Sequence, residues 1–250
     1  MRVIKIGGRA QADATLQSAL LRAWQAAPGR VVVVHGGGDE VSALQRALGV
    51  EASFSGGRRV TTTLDLETVR MVLSGAVNKR LVSQLRAANA VGISGEDGDL
   101  LEATVTDPAL GRVGSPRRVN PALLSRLLTG GFLPVVSPLG RDGDDPSGSG
   151  LNVNGDDAAA AIAVAMGADE LLLIADVAGV LDEGTLVRVL DPEHAHALIA
   201  RGVAGGGMAA KLEAACAALS GGVRRVRIGA IEAITDFSAG TRVSLVAHPA

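Results

Sequence analysis

The chain has 250 residues, 47% of them hydrophobic, with 24 Lys and Arg against 26 Asp and Glu for a net charge of −2. This is a folded globular composition of one-domain size, and it lacks the basic excess of a nucleic-acid-binding surface. A single cysteine excludes an intrachain disulfide, and three Phe, one Trp and no Tyr exclude an aromatic stacking platform.

The opening Met1-Arg2-Val3-Ile4-Lys5 has too short an apolar stretch for a secretory signal. The longest apolar run, 158–168, is about half a membrane span. The reading is a cytoplasmic protein without membrane contact. Val3-Ile4-Lys5-Ile6 predicts a short strand closed by Gly7-Gly8. Residues 12–26 carry a helical stripe of Leu16, Ala19, Leu20 and Ala23, broken at Pro28-Gly29. Val31-Val32-Val33-Val34 predicts a strand buried on both faces. It enters His35-Gly36-Gly37-Gly38 and a helix over 39–48. Residues 50–62 read as a hairpin or loop, and 64–89 as one long helix. Val91-Gly92-Ile93 predicts a strand and 99–120 short antiparallel strands. Pro121 suits the first position of a helix ending near 129, and Leu133-Pro134-Val135-Val136 predicts another strand. Residues 140–150 read as a Gly/Asp/Ser/Pro loop. An Ala-rich helix over 155–167, a strand over 171–174, helices over 191–201 and 207–220 and a final buried strand over 224–228 complete the pattern.

Strands alternating with helices predict βαβ units around a mainly parallel sheet, with ligands at the carboxyl ends of the strands. The glycine clusters after Ile6, Val34 and Ile93 fall there, as does Asp176. Neither a Gly-x4-Gly-Lys-Ser/Thr loop nor a Gly-x-Gly-x-x-Gly turn is present, so phosphate chemistry must use another construction.

Several segments supply one. Lys5 is a cation at the end of an apolar strand, followed by Gly7 and Gly8 with unobstructed N–H groups. The Gly36, Gly37 and Gly38 turn enters a helix N-terminus, an anion-binding construction; His35 reads as support for that loop. Asn152, Asn154 and Asp156 share one face if extended, and one of them caps the Ala-rich helix. Asp176-Val177-Ala178-Gly179-Val180-Leu181 follows a buried strand. Lys211 follows Gly205-Gly206-Gly207 near a helix N-terminus, where a cation is unfavourable unless an anion binds. His194 and His196 have the wrong spacing for a metal pair, the 142–146 acids lack calcium-loop spacing, and Cys216 reads as a small packed residue.

Together these motifs resemble the amino-acid kinase family, nearly end to end. The resemblance rests on Ile4-Lys5-Ile6-Gly7-Gly8, Val34-His35-Gly36-Gly37-Gly38, Gly57-Arg58-Arg59-Val60-Thr61 and Gly75-Ala76-Val77-Asn78-Lys79. It continues through Val119-Asn120-Pro121, Asn152-Val153-Asn154-Gly155-Asp156, Asp176-Val177-Ala178-Gly179-Val180-Leu181 and Gly207-Met208-Ala209-Ala210-Lys211. The family members most similar to it act on N-acetyl-L-glutamate.

The resemblance implies a three-layer α/β/α sandwich with a mainly parallel central sheet. It implies a single kinase domain over 1–250, with an acceptor-binding and dimerising half to about 140 and an ATP-binding half from about 150. It implies transfer of the ATP γ-phosphoryl group to the γ-carboxylate of N-acetyl-L-glutamate, a step of arginine biosynthesis, with Mg²⁺ carried by the nucleotide. Lys5 and Lys211 would flank the phosphoryl group and Asp156 would hold both lysines. Gly7, Gly8, Gly36, Gly37 and Gly38 would offer N–H groups to its oxygens, with Gly37 and Gly38 also touching the acceptor. Arg59 would clamp the acceptor's α-carboxylate, and Asn152 and Asn154 would serve the same pocket. Asp176, Val177, Ala178, Gly179, Val180, Leu181, Gly205 and Lys211 would hold ATP. The chain departs from the family pattern at Arg58, where an apolar residue is usual, in the 142–150 loop and at the three glycines 205–207. With its first strand starting at Arg2, the expectation is an arginine-insensitive homodimer. Two other readings stay open: a kinase of carrier-protein-linked aminoadipate, for which Arg58, Arg117 and Arg118 would form a basic surface, and a non-catalytic sensor on the same fold.

Overall fold

The computed structural model describes residues 1–55, 58–145, 147 and 149–245. Gly56 and Gly57 of the expected hairpin, and Pro146 and Gly148 of the 140–150 stretch, lie outside the described residues.

Strand β1 (Arg2–Ile6) is followed by a 3₁₀ turn, Arg9–Ala12, and by helix α1 (Leu16–Ala26). The helix expected from residue 12 starts late because the Asp13 carboxylate accepts the Thr15 N–H at 2.7 Å and holds a turn there. β2 (Val31–His35) and α2 (Gly38–Ala47) form as expected, and β3 (Phe54–Ser55) pairs antiparallel with β4 (Arg58–Arg59). The long helix proves to be one run of different pitches. α3 (Thr63–Arg70) opens on a reciprocal Thr62–Asp65 capping box, passes into a π-helical stretch, Met71–Val77, and continues as α4 (Asn78–Gln84).

β5 (Ala90–Ser94), β6 (Leu101–Val105), β7 (Val113–Val119), α5 (Ala122–Thr129) and β8 (Leu133–Ser137) follow, with Pro121 one residue before the first helical position. The 140–150 stretch is not one loop. Its ends are β9 (Leu139–Asp142) and β10 (Gly150–Val153), which pair antiparallel and close a four-stranded barrel with β6 and β7. Asp142, buried and 3.3 Å from Arg112, anchors this hairpin, a tertiary contact that loop-like composition conceals.

The remaining elements are α6 (Gly155–Ala165), β11 (Glu170–Ile174), β12 (Leu181–Asp182), β13 (Thr185–Leu186), β14 (Val189–Leu190), α7 (Pro192–Ala200), α8 (Gly206–Ser220) and β15 (Arg225–Gly229). β15 is not the last strand, as the apolar pattern suggested. β16 (Thr241–Val243) returns antiparallel to it.

The main sheet has the order β14-β16-β15-β11-β1-β2-β8-β5, and every neighbouring pair except β15–β16 is parallel. β2, β8 and β11 are buried at all five positions. A strand whose alternate side chains are all hidden needs a layer on each face, so this is the expected three-layer sandwich. β1 sits at the middle, between β2 and β11. The turns leaving β1, β2 and β11 therefore emerge side by side on one edge, where Gly36 N–H donates to Ile6 O at 2.9 Å. Among the described residues no helix is long and apolar enough to cross a membrane.

Candidate active site

Three charged side chains from distant parts of the chain meet on that edge. Lys5 comes from the end of β1, Asp156 from the first turn of α6 and Lys211 from α8. Lys5 Nζ lies 2.8 Å from Asp156 Oδ1, and Lys211 Nζ lies 3.3 Å from Asp156 Oδ2. Lys5 and Asp156 are buried. Burial pushes the Asp156 carboxyl up, but the two lysines outweigh it and hold the group below the usual carboxylate range. Burial and the neighbouring Lys5 lower Lys211, with Asp156 opposing them. Two cations share one anion, so the cluster carries an unbalanced positive charge in a poorly solvated place. Such a site attracts an anionic group.

Asn154 positions the carboxylate. It is the N-cap of α6, and its Oδ1 accepts the N–H groups of Asp156 at 2.8 Å and Asp157 at 3.4 Å.

Two pockets adjoin here, and the cluster lines the larger of them. The larger, about 540 Å³, is lined by Lys5, Gly7, Gly8, Asp176 and Lys211, together with Met208. The smaller, about 230 Å³, is lined by Gly36, Gly37, Gly38, Arg59, Asn152 and Asn154. Gly38 borders both. Gly155 lines the smaller pocket, and a Cβ on it would lie 3.2 Å from Lys5 Cε, so Lys5 touches the partition between them. Another cavity of about 550 Å³, among β7, α6 and α8, is lined by alanines of the two helices together with Arg117, Arg118, Asp157 and Glu213, and has none of these lysines.

In the smaller pocket Arg59 is buried and fully positioned. Its guanidinium donates to Gly38 O at 2.9 Å, to Ser42 Oγ at 2.6 Å and to Gln45 Oε1, and stacks 4.8 Å from the Phe54 ring centroid. All three acceptors are neutral, so its charge remains available to a ligand carboxylate. Gln45 in turn donates to Asp65 at 2.6 Å. Asn152 donates to Thr61 Oγ1 at 3.1 Å, which ties β10 to the hairpin that carries Arg59.

A model of the amino acid kinase family matches residues 1–230. The chain belongs to this family. It is 42% identical to the acetylglutamate kinase of Ruegeria sp. strain TM1040, over 96% of this chain and 88% of that protein. It is 44% identical to the acetylglutamate kinase of Rubrobacter xylanophilus, over 96% and 94%. The solved structure of smu.665 from Streptococcus mutans UA159 superposes with a TM-score of 0.87 at 30% identity, covering 98% of each chain.

In this amino acid kinase the other predicted residues divide. Asp176 and Val177 line the larger pocket, whereas Ala178, Gly179, Val180 and Leu181 lead away from it into β12. Val180 is buried there, its N–H donating to Thr241 Oγ1 at 2.8 Å. Gly205 is the exposed N-cap of α8, and Gly207 reaches the pocket. His35 supports the loop: its Nε2 accepts from Asn78 Nδ2 at 3.1 Å, and burial lowers its pKa to about 4. It is neutral at pH 7. Gly92 makes room for that contact, since a Cβ there would lie 1.9 Å from Asn78 Oδ1.

Four participants escaped the residue-by-residue reading. Arg9 lies 3.4 Å from both Asp39 and Asp176 along the rim of the larger pocket. Its only signal was its place after Gly7-Gly8. Ser42 and Gln45, which hold Arg59, look like ordinary polar helix residues. Asp157 pairs with Arg58 at 3.1 Å, so the extra cation lining the smaller pocket has its own counter-charge.

Proposed function

We propose that the chain transfers the γ-phosphoryl group of ATP to the γ-carboxylate of N-acetyl-L-glutamate. ATP would occupy the larger pocket and the acetylamino acid the smaller one. The observation that carries this reading is the Lys5–Asp156–Lys211 cluster, which lines the larger pocket where it adjoins the smaller one. An acceptor carboxylate oxygen attacks the γ-phosphorus. The bond from that phosphorus to the β,γ-bridging oxygen breaks, and its electron pair leaves with ADP. The products are ADP and an acyl phosphate. A carboxylate is already ionised, so no general base is required. The need is alignment and neutralisation of charge as the phosphoryl group passes between two anions. The lysines and the N–H groups of Gly8 and the 36–38 turn supply it. Arg59 holds the α-carboxylate end, for which a planar guanidinium is the best grip.

ATP brings its Mg²⁺ as part of the substrate. Both oxygens of Asp156 face lysines and Asp176 faces Arg9, so these carboxylates suit holding cationic side chains rather than the ion, whose charge would help neutralise the phosphates. The homodimer belongs to the same reading and is supported by the exposed apolar Leu64 and Met71 on the long helical run; so does a cytoplasmic location.

The supposed basic surface favours the free amino-acid acceptor. Arg58 pairs with Asp157, Arg117 with Asp144 at 2.8 Å and Arg118 with Glu102 at 2.9 Å. An acidic carrier protein would meet ion pairs there, not free cations. Hydroxylamine trapping of acyl phosphate in Mg-ATP tests the reading. Hydroxamate should form with N-acetyl-L-glutamate and not with N-acetyl-aminoadipate or without acceptor. Hydroxamate only from carrier-linked aminoadipate would replace the acceptor, and silence with all acceptors while ATP binds would favour a sensor.

A further inference from the structure

We propose that a further pocket, over the β14-β16-β15 side of the main sheet, binds a small phosphate-bearing polyanion. The pocket measures about 300 Å³ and is lined by Arg188, Arg225, Arg227 and Arg242, with Val189 and the 237–240 turn. The pocket shares no lining residue with either of the two pockets at the lysine cluster. The two sites are therefore distinct.

Charge balance is the first observation. Arg227 is buried and spent: its Nε donates to Glu170 Oε1 at 2.7 Å, and its other nitrogens donate to the carbonyls of Ala233, Asp236 and Ala239. The other oxygen of Glu170 accepts from Arg2 at 2.6 Å. Asp236 turns its carboxylate back to the N–H and hydroxyl of Ser238. Among the described residues, Arg188, Arg225 and Arg242 have no carboxylate partner. In a chain whose net charge is −2, three unpaired guanidiniums around one hollow are a local excess, not a general property of the surface.

The register is the second observation. Arg242 on β16 stands directly opposite Arg227 on β15, and like charges facing across strands are destabilising. Arg242 Nε is buried and has no hydrogen-bond acceptor among the described residues, which is costly for a donor cut off from water. A bound anion would relieve both penalties. Phosphate groups fit better than a lone carboxylate, because several planar forks converge and a phosphate presents more acceptor oxygens at higher charge. Phe237 forms an apolar wall, its ring already stacked by Arg2 at 4.8 Å and Arg227 at 5.5 Å. The hollow suits a diphosphate or a small phosphate ester.

Calorimetric titration with inorganic pyrophosphate, with the catalytic pocket filled by Mg-AMP-PNP, tests this directly. One site per chain is expected. Its affinity should fall by roughly tenfold or more in Arg188→Glu and in Arg225→Glu, each of which reverses one contacting charge, and should survive in Lys211→Ala. Both arginines are exposed and lie outside the catalytic machinery, so hydroxamate formation by these variants should match the wild type and report intact folding. Parallel titrations with orthophosphate, a sugar phosphate and citrate separate the ligand types. Binding of any phosphate form supports the site. No binding, binding untouched by both arginine variants, binding lost in Lys211→Ala, or a response to citrate alone would overturn it.

Discussion

Arg58 and Asp157 are joined at 3.1 Å, and each is the chain neighbour of a residue that builds the site. Arg59, beside Arg58, lines the smaller pocket; Asp156, beside Asp157, holds the two lysines. One ion pair thus clasps the hairpin that carries Arg59 to the helix that carries Asp156. Burial raises the Asp157 carboxyl and Arg58 opposes that shift. Replacing Arg58 with Leu, or Asp157 with Asn, should raise the KM for acceptor by roughly threefold to tenfold, as expected for a partly buried pair. The KM for ATP should change little. Steady-state kinetics of the two single variants and of the charge-swapped double variant check this; partial recovery in the swap is expected.

Arg59→Lys keeps the charge but loses the fork and the stack on Phe54. The KM for acceptor should rise by roughly tenfold to a hundredfold with kcat less affected, because uniform binding is lost rather than transition-state binding. Initial rates over a range of N-acetyl-L-glutamate concentrations separate the two parameters.

His35 makes stability depend on pH. Its folded pKa is about 4 against an unfolded value of 6.5, because burial disfavours the charged ring. The unfolded chain therefore binds the proton more readily. Stability should be intact above about pH 6.5 and decline as pH falls towards 4, by about 3 kcal/mol in all. Urea unfolding midpoints between pH 7 and 4 should show the decline, and His35→Gln should remove much of it.

Gly92→Ala should destabilise the fold by about 2 kcal/mol or more, because the new methyl group would overlap the Asn78 carbonyl that belongs to the His35 support. Thermal melting checks this, and a variant with unchanged melting would mean that Asn78 rearranges freely.

The sheet was largely legible in the sequence because its strands are buried on both faces and read as unbroken apolar runs, Val31 to Val34 most clearly. β9, β10 and β16 were not. They are only three or four residues long, interrupted by Gly or polar residues, and held by partners far along the chain, such as Arg112 for Asp142. Single motifs flagged Lys5, the glycine turn and Lys211, but joining residues 5, 156 and 211 into one cluster depended on the family resemblance. Local pattern carries no information about a contact spanning most of the chain. Ser42 and Gln45 stayed hidden for the same reason: each is an ordinary polar residue until the fold aims it at Arg59.

The central claim is that Lys5 and Lys211, held by Asp156, stabilise a phosphoryl group in transit between the two pockets. Hydroxamate turnover by Lys211→Ala at saturating Mg-ATP and N-acetyl-L-glutamate tests it most directly. The account predicts a fall in kcat of roughly a hundredfold or more, as when one preorganised electrostatic contact to a transition state is removed, with acceptor affinity retained. Undiminished kcat would contradict it.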